Sequence, residues 1–420
     1  MEMPENKKAE LLAPAGSMEA LKTALRFGAD AVYLAGVKYG MRAAADNFTV
    51  DELREAVAYA SQRGKKVYLT LNVMPHGDEY ADLEAYMEQI SDIGLSGLIC
   101  ADLGVIALAS KRLPHIPIHV STQASVVSAR AAEVYARLGA RRIVLARELS
   151  LAEIVRLRRE LTKEVELEAF VHGSMCVSYS GRCLFSNFFT GRDGNRGMCA
   201  QPCRWNYHQF EIAEEKRPGS HLTVEVTDRG TFFLSSRDMC MIGHVSELIE
   251  AGIDSFKIEG RMKSAYYTAV TANAYRMALD AYARDPEHYA FDPTWLRELE
   301  SVSHREYCTG FYYDSPLSEP QLVSSPGYLR DKAYLAHAVS YDGETGRAQF
   351  IQHNKFFAGD TVELLTPGLP GRSFRAEELR GEEGEEIPST PHPLMRFSMR
   401  VPFPVKEGDI LRGGDDGGTV

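Results

Sequence analysis

The chain has 420 residues, enough by the rough rule of about 150 residues per domain for two or three domains. Its 45% hydrophobic, 25% charged and 10% aromatic content excludes a disordered, collagenous or disulfide-scaffold protein. The net charge of −11, from 47 basic and 58 acidic side chains, excludes a surface that is basic all over, so a nucleic-acid partner requires a local patch.

The first ten residues are polar and mixed in charge, with no apolar stretch behind a basic one. No later segment approaches the roughly 20 apolar residues that span a bilayer, so a cytoplasmic protein without membrane contact is expected. From residue 10 to about 285, short β-branched runs alternate with amphipathic segments of helical period. Strands are expected at 11–15, 31–35, 66–73, 97–101, 117–121, 142–146, 165–172 and 255–259. Segments such as 50–63 and 124–138 open on Ser, Thr or Asp, as helices do. Eight strands in this order predict an α/β fold, a TIM-like (β/α)8 barrel over 1–285. An open doubly wound sheet is the rival, but the first turn reads LAPAGSMEAL and lacks GxGxxG.

The regular spacing breaks between the seventh and eighth strands, where about 80 residues intervene. This places a long cysteine-rich insertion, 174–240, at the C-terminal face where barrel active sites sit. A connector with frequent Pro and Tyr follows over 286–332, including Pro316, Pro320 and Pro326. Beyond it, 333–420 reads as a small all-β domain, a barrel or sandwich, with strands at 338–340, 348–353, 361–365, 395–401 and 409–411 between Gly-containing turns. The acidic stretch 377–386 reads as a solvated loop.

Five of the seven cysteines fall in the insertion or at its end, spaced C-x6-C-x15-C-x3-C-x36-C: Cys176, Cys183, Cys199, Cys203 and Cys240. Grouped thiols in a reducing compartment are metal ligands or redox groups more often than disulfides, and this is not zinc-ribbon spacing. Thiolates from several loops suit an iron–sulfur cluster, while redox cysteines and free buried thiols stay open. Gly181, Gly191, Gly194 and Gly197 allow close backbone approach. Arg182, Arg192, Arg196 and Arg204 supply positive charge against Asp193 alone. Phe185, Phe188, Phe189, Trp205 and Tyr207 lie among them and either stack an unpaired base or pack the loop. His172 and Cys176 have the residue types of a thiol nucleophile and its base, but no orienting third group, HExxH or GxSxG accompanies them. Polar residues at other strand ends, Asn72, Asp102, Gln123, Arg147 with Glu148, Arg237 with Asp238, and Glu259 with Arg261, would together form an Arg-containing pocket for a carboxylate or phosphate.

The opening ELLAPAGSMEALKTALRFGADAVYLAG, the central EAFVHGSMCVSYSGRC and the later DSFKIEGRMKSAYY together resemble peptidase family U32, the collagenase-like proteins, over nearly the whole chain. Within it the CxxxCRW continuation and the β tail are most similar to the tRNA hydroxylation proteins. The resemblance implies a TIM-like barrel with a β-barrel-like tail. It also implies oxygen-independent hydroxylation of a tRNA wobble uridine to 5-hydroxyuridine, with prephenate linked to the donor. A [4Fe–4S] cluster on Cys176, Cys183, Cys199 and Cys240 is implied in the same way, with Cys203 as a fifth thiol able to replace Cys199. On this reading His172 and Asp238 handle protons, Arg182, Glu259 and Arg261 position substrate, and the partners are the tRNA anticodon region and an electron-transfer or family-related protein. The alternatives are a collagenase-like peptidase and an accessory RNA-binding partner.

Overall fold

The structure is a computed structural model describing residues 9–41, 46–162, 164–176, 178–180, 182–205, 213–214, 217–221, 225–227, 230–232, 236–313 and 328–413. Gly181, Tyr207, Pro316, Pro320, Pro326 and the side chain of Arg204 lie outside the described residues.

Eight parallel strands form a closed ring: β1 (Glu10–Pro14), β2 (Ala31–Ala35), β3 (Lys66–Leu71), β4 (Gly97–Cys100), β5 (Ile118–Val120), β6 (Ala140–Val144), β7 (Glu166–Ser174) and β13 (Ser255–Ile258). Strand β13 pairs with both β7 and β1, which closes the barrel. All eight coincide with expected strands, because apolar β-branched runs between turn residues are what a strand buried on both faces requires.

Helices α1 (Met18–Arg26), α2 (Val50–Ser61), α3 (Tyr80–Ile90), α4 (Leu103–Arg112), α5 (Ala129–Arg137), α6 (Leu151–Glu160), α8 (Val245–Glu250) and α9 (Ala265–Arg284) connect or follow these strands. Their starts are set by side-chain caps: Ser17, Thr49, Asp102, Ser128, Ser150 and Ser264 each accept a hydrogen bond from a first-turn N–H, satisfying a donor the helix leaves unpaired. The helix expected from residue 124 begins only at Ala129, because Ser125 ends a short 3-10 turn in the left-handed conformation.

Alternation along the strands divides the core. Outward side chains such as Leu11, Phe256 and Ile258 pack in the layer beneath the helices, while Leu12, Tyr33, Tyr68 and Ile99 form a separate small cluster inside the ring. Below that cluster the interior is charged. Arg142 bridges Glu10 (2.6 Å) and Glu168 (3.1 Å), and Lys257 donates to Glu168 at 2.7 Å. Tyr68 and Ser255 complete the shell of Glu10. Burial alone would raise the Glu10 carboxyl, but Arg142, Lys66 and Tyr68 outweigh it and hold the group at about 2.

The insertion holds α7 (Phe185–Thr190) and four short strands, β8 (Ala213–Glu214), β9 (Arg217–His221), β10 (Glu225–Thr227) and β11 (Gly230–Phe232). It returns through β12 (Asp238–Cys240), which runs antiparallel to the end of β7 with Asp238 opposite Ser174 and Cys240 opposite His172. The short strand β14 (Tyr307–Cys308) extends this stalk, after α10 (Pro293–Glu300).

The tail is a seven-stranded antiparallel sheet ordered β18-β17-β21-β15-β16-β20-β19, made of β15 (Ala333–Asp342), β16 (Arg347–Gln352), β17 (Thr361–Leu365), β18 (Arg372–Arg375), β19 (Glu377–Arg380), β20 (Arg396–Arg400) and β21 (Ile410–Gly413). It has its own core around Phe350, Leu364, Phe397 and Leu411. The start of the acidic stretch is not a loop: Glu377–Arg380 pairs with β20 and buries Leu379, one apolar contact outweighing local charge. Arg412 ties the tail to the barrel, donating to Glu298 (2.7 Å), Ser301 (2.9 Å) and its own domain's Glu363. Among the described residues no helix is long and apolar enough to cross a membrane.

Candidate active site

A cavity of about 450 Å³ opens at the C-terminal ends of the barrel strands. Tyr33, Ile99, Phe170 and Lys257 form its floor, Thr70, Asn72, Ser121, Thr122 and Gln123 one wall, and the Glu259–Lys263 segment another. The insertion supplies the rim through Cys176, Cys183, Ser186, Arg192, Gly194, Cys199 and Cys203.

Among the described residues five cations line this space, Arg147, Arg192, Lys257, Arg261 and Lys263, against the carboxylate of Glu259. Two of them converge on one ring: the Arg147 guanidinium lies 4.2 Å and the Lys257 ammonium 5.3 Å from the centre of Phe170. Arg147 also donates to the carbonyl of Ser174 at 2.7 Å, which fixes it at the top of β7. Glu168 offsets Lys257 from below, so the surplus of positive charge sits in the upper half of the cavity, suited to a carboxylate or phosphate.

The Glu259–Arg261 segment is held by close backbone packing. Gly173, at φ 105°, faces the Glu259 carbonyl so closely that a Cβ would stand 2.4 Å from it. At Gly16 a Cβ would stand 2.1 Å from the Arg261 carbonyl. Tyr33 donates to Ile258 O (3.0 Å) and Glu259 Oε2 (3.1 Å), and Tyr267 donates to Glu259 O at 3.0 Å. Burial and the neighbouring Glu259 push the Tyr33 hydroxyl well above its ordinary range, so it stays a donor.

Of the expected site residues, Cys176, Cys183, Cys199, Glu259 and Arg261 line the cavity, and Cys203 joins them. His172, Asp238, Cys240 and Arg182 do not. Lys257 is paired with Phe170 but Ile258 with His172, a bulge that skips Val171 and turns His172 to the outer side of the sheet. There it is buried among Tyr267, Tyr275 and Tyr307, with both ring nitrogens lacking a hydrogen-bond partner among the described residues. Burial lowers its pKa to about 3. Asp238 accepts from the backbone N–H of Arg305 (3.0 Å) and from its guanidinium (2.6 and 3.1 Å), a buried ion pair. Burial would raise that carboxyl, yet Arg305 lowers it below the usual range. Cys240 is buried on β12 beside Tyr275, and burial pushes its thiol up to about 12. Arg182 is exposed and lies near Tyr135 of α5. Lys257 and Lys263 were not expected. The signal for Lys257 was a cation in the middle of an apolar strand, SFKI, at an inward position.

The rim tests the implied cluster. The backbone N–H groups of Phe185 and Gln201 donate to Cys183 Sγ and Cys199 Sγ, each at 3.4 Å, an arrangement that favours negative charge on sulfur. Four thiols around one cavity are a soft donor set of the kind such clusters use. Among the described residues no three His, Cys, Asp or Glu side chains converge closely enough to hold a single metal ion.

The model of Peptidase family U32 matches residues 16–321, and that of the Peptidase family U32 C-terminal domain residues 330–412. The "tRNA hydroxylation protein P1" of Bacillus subtilis (strain 168) is 36% identical, covering 97% of this chain and 95% of its own length. The "tRNA hydroxylation protein P" of Escherichia coli (strain K12) is 33% identical over 91% and 92%. A protein named "Collagenase" from Porphyromonas gingivalis is 28% identical over 95% of each. With family models covering both barrel and tail, and similarity running along nearly its whole length, the chain belongs to peptidase family U32.

Proposed function

We propose that this protein is an RNA hydroxylase that acts on tRNA and converts the wobble uridine to 5-hydroxyuridine without molecular oxygen. The observation that carries the reading is one cavity, at the catalytic face of a barrel, lined among the described residues by four thiols and five cations. The names of the similar tRNA hydroxylation proteins agree with it. A space of about 450 Å³ has room for a single nucleotide drawn out of a loop.

Cys176, Cys183 and Cys199 would hold a [4Fe–4S] cluster, with a fourth sulfur from Cys203, which shares the cavity, or from Cys240, which the family resemblance implies. When bound, the cluster supplies one-electron transfer. Arg147 and Arg261 hold the carboxylates of a donor of the prephenate type, and Lys257 keeps the floor of the cavity positive. Glu259, fixed by Tyr33, is the carboxylate available to take a proton from the pyrimidine side of the cavity.

The peptidase alternative has less support: His172 faces the aromatic layer, so it does not share the cavity with Cys176 as a thiol nucleophile's base must. Nucleoside mass spectrometry of tRNA from a deletion strain tests the reading. Loss of 5-hydroxyuridine derivatives, restored by the wild-type gene but not by Arg261→Met, is expected; an unchanged spectrum in a strain lacking all related genes overturns it. Iron and absorbance of anaerobically purified Cys203→Ser and Cys240→Ser identify the fourth sulfur, since only the ligand's loss lowers iron content.

A further inference from the structure

The outer wall of the same cavity carries an exposed aromatic face. Helix α7 turns Ser186 inward, where its hydroxyl donates to Arg192 O (2.7 Å) and accepts from Ala200 N (2.9 Å), and turns its phenylalanines outward. Phe188 is 83% exposed and Phe189 45%, with Trp205 beside them at 39%. The rings form an edge-to-face ladder: Phe185 to Phe189 4.7 Å, Phe188 to Phe189 5.3 Å, Phe189 to Trp205 6.5 Å. Phe188 keeps most of its ring surface in solvent despite these contacts.

Two arginines flank α7 in the sequence. Arg182 and Arg192 are both exposed and make no ion pair among the described residues, on a protein whose net charge is −11. Arg192 also lines the cavity, so the aromatic face and the cavity mouth share a cation. Exposed rings beside guanidinium groups match an unpaired polynucleotide, whose bases offer planar faces and whose backbone offers phosphates; a duplex hides the former.

We propose that the α7 face docks an unpaired RNA strand, stacking the bases that flank the nucleotide held in the cavity. This rests on the RNA-hydroxylase reading for the identity of the central nucleotide, but its test involves no chemistry. The full chain is titrated against a labelled anticodon stem-loop and against a fully paired RNA duplex by fluorescence anisotropy. Phe188→Ala is expected to weaken stem-loop binding on the order of tenfold and leave duplex binding unchanged. Arg192→Gln is expected to weaken both and to flatten the salt dependence. Equal stem-loop affinity for wild type and Phe188→Ala overturns the proposal, as does an equal loss for both RNAs. A sedimentation shift from dimer to monomer in Phe188→Ala, with RNA affinity intact, assigns the face to a second copy and also overturns it. If the stem-loop needs Phe188 while tRNA hydroxylation is absent, the docking stands and the hydroxylase reading falls; hydroxylation that is indifferent to Phe188, with unchanged binding, gives the converse.

Discussion

Lys257 interrupts an apolar strand, and its neighbours explain why it is tolerated there. Phe256 and Ile258 face the helices, while Lys257 points to the barrel axis and meets Glu168, which is fully buried. Lys257→Met would leave Glu168 to Arg142 alone, and loss of one partner from a buried charge network costs about 3–5 kcal/mol. A urea midpoint lowered accordingly is expected; a change within about 0.5 kcal/mol would mean that Arg142 suffices. Gly173→Ala acts on the backbone instead, combining a positive φ with a contact to the Glu259 carbonyl. It should destabilise by more than about 1 kcal/mol and lower hydroxylation further than stability alone accounts for, because Glu259 must move. At this scale the sequence was partly legible. Glu259 and Arg261 could be read as cavity residues from their position after a strand, and Cys176, Cys183 and Cys199 from their grouping in the insertion. His172 could not, since alternation from Glu168 and Phe170 points it inward and only the bulge at Val171 reverses it.

The elements followed local rules wherever those rules were written in adjacent residues. Thr49 and Glu52 form a reciprocal capping box, and α2 starts where that pair dictates. Thr49→Ala should therefore lower the midpoint of thermal unfolding by the equivalent of about 1 kcal/mol without altering the helix boundaries seen by amide exchange. Strand β19 went unread because the stretch 377–386 holds six glutamates and a single leucine, which the tail core takes up. The stalk strand β12 is equally silent in sequence: three residues, DMC, carry no periodicity, and only pairing with β7 makes them a strand.

For the molecule as a whole, the charged barrel interior sets how the fold responds to acid. His119 is buried beside Arg142 and held neutral, well below its ordinary pKa, so the unfolded chain takes up a proton first as pH falls below about 6.5. Glu10 is held at about 2, against 4.5 when free, so its stabilisation is complete above about 4.5 and is lost as pH falls toward 2. Stability measured in urea should decline gently below pH 6.5 and steeply below 4.5, and a profile flat to pH 3 would contradict the network. The tail shares this cooperativity through Arg412, which is 1% exposed between two carboxylates. Arg412→Met should split one calorimetric transition into two, the tail melting first.

Because the insertion leaves the barrel at Ser174 and comes back opposite it at Asp238, both ends of the excursion are stapled to a single point on the wall. Segments between those ends that stay off the cavity can change length without disturbing the ring beneath, whereas the stretch bearing Cys176, Cys183, Cys199 and Cys203 is held to the mouth. The same staple thereby anchors a tolerant outer surface and a constrained thiol rim.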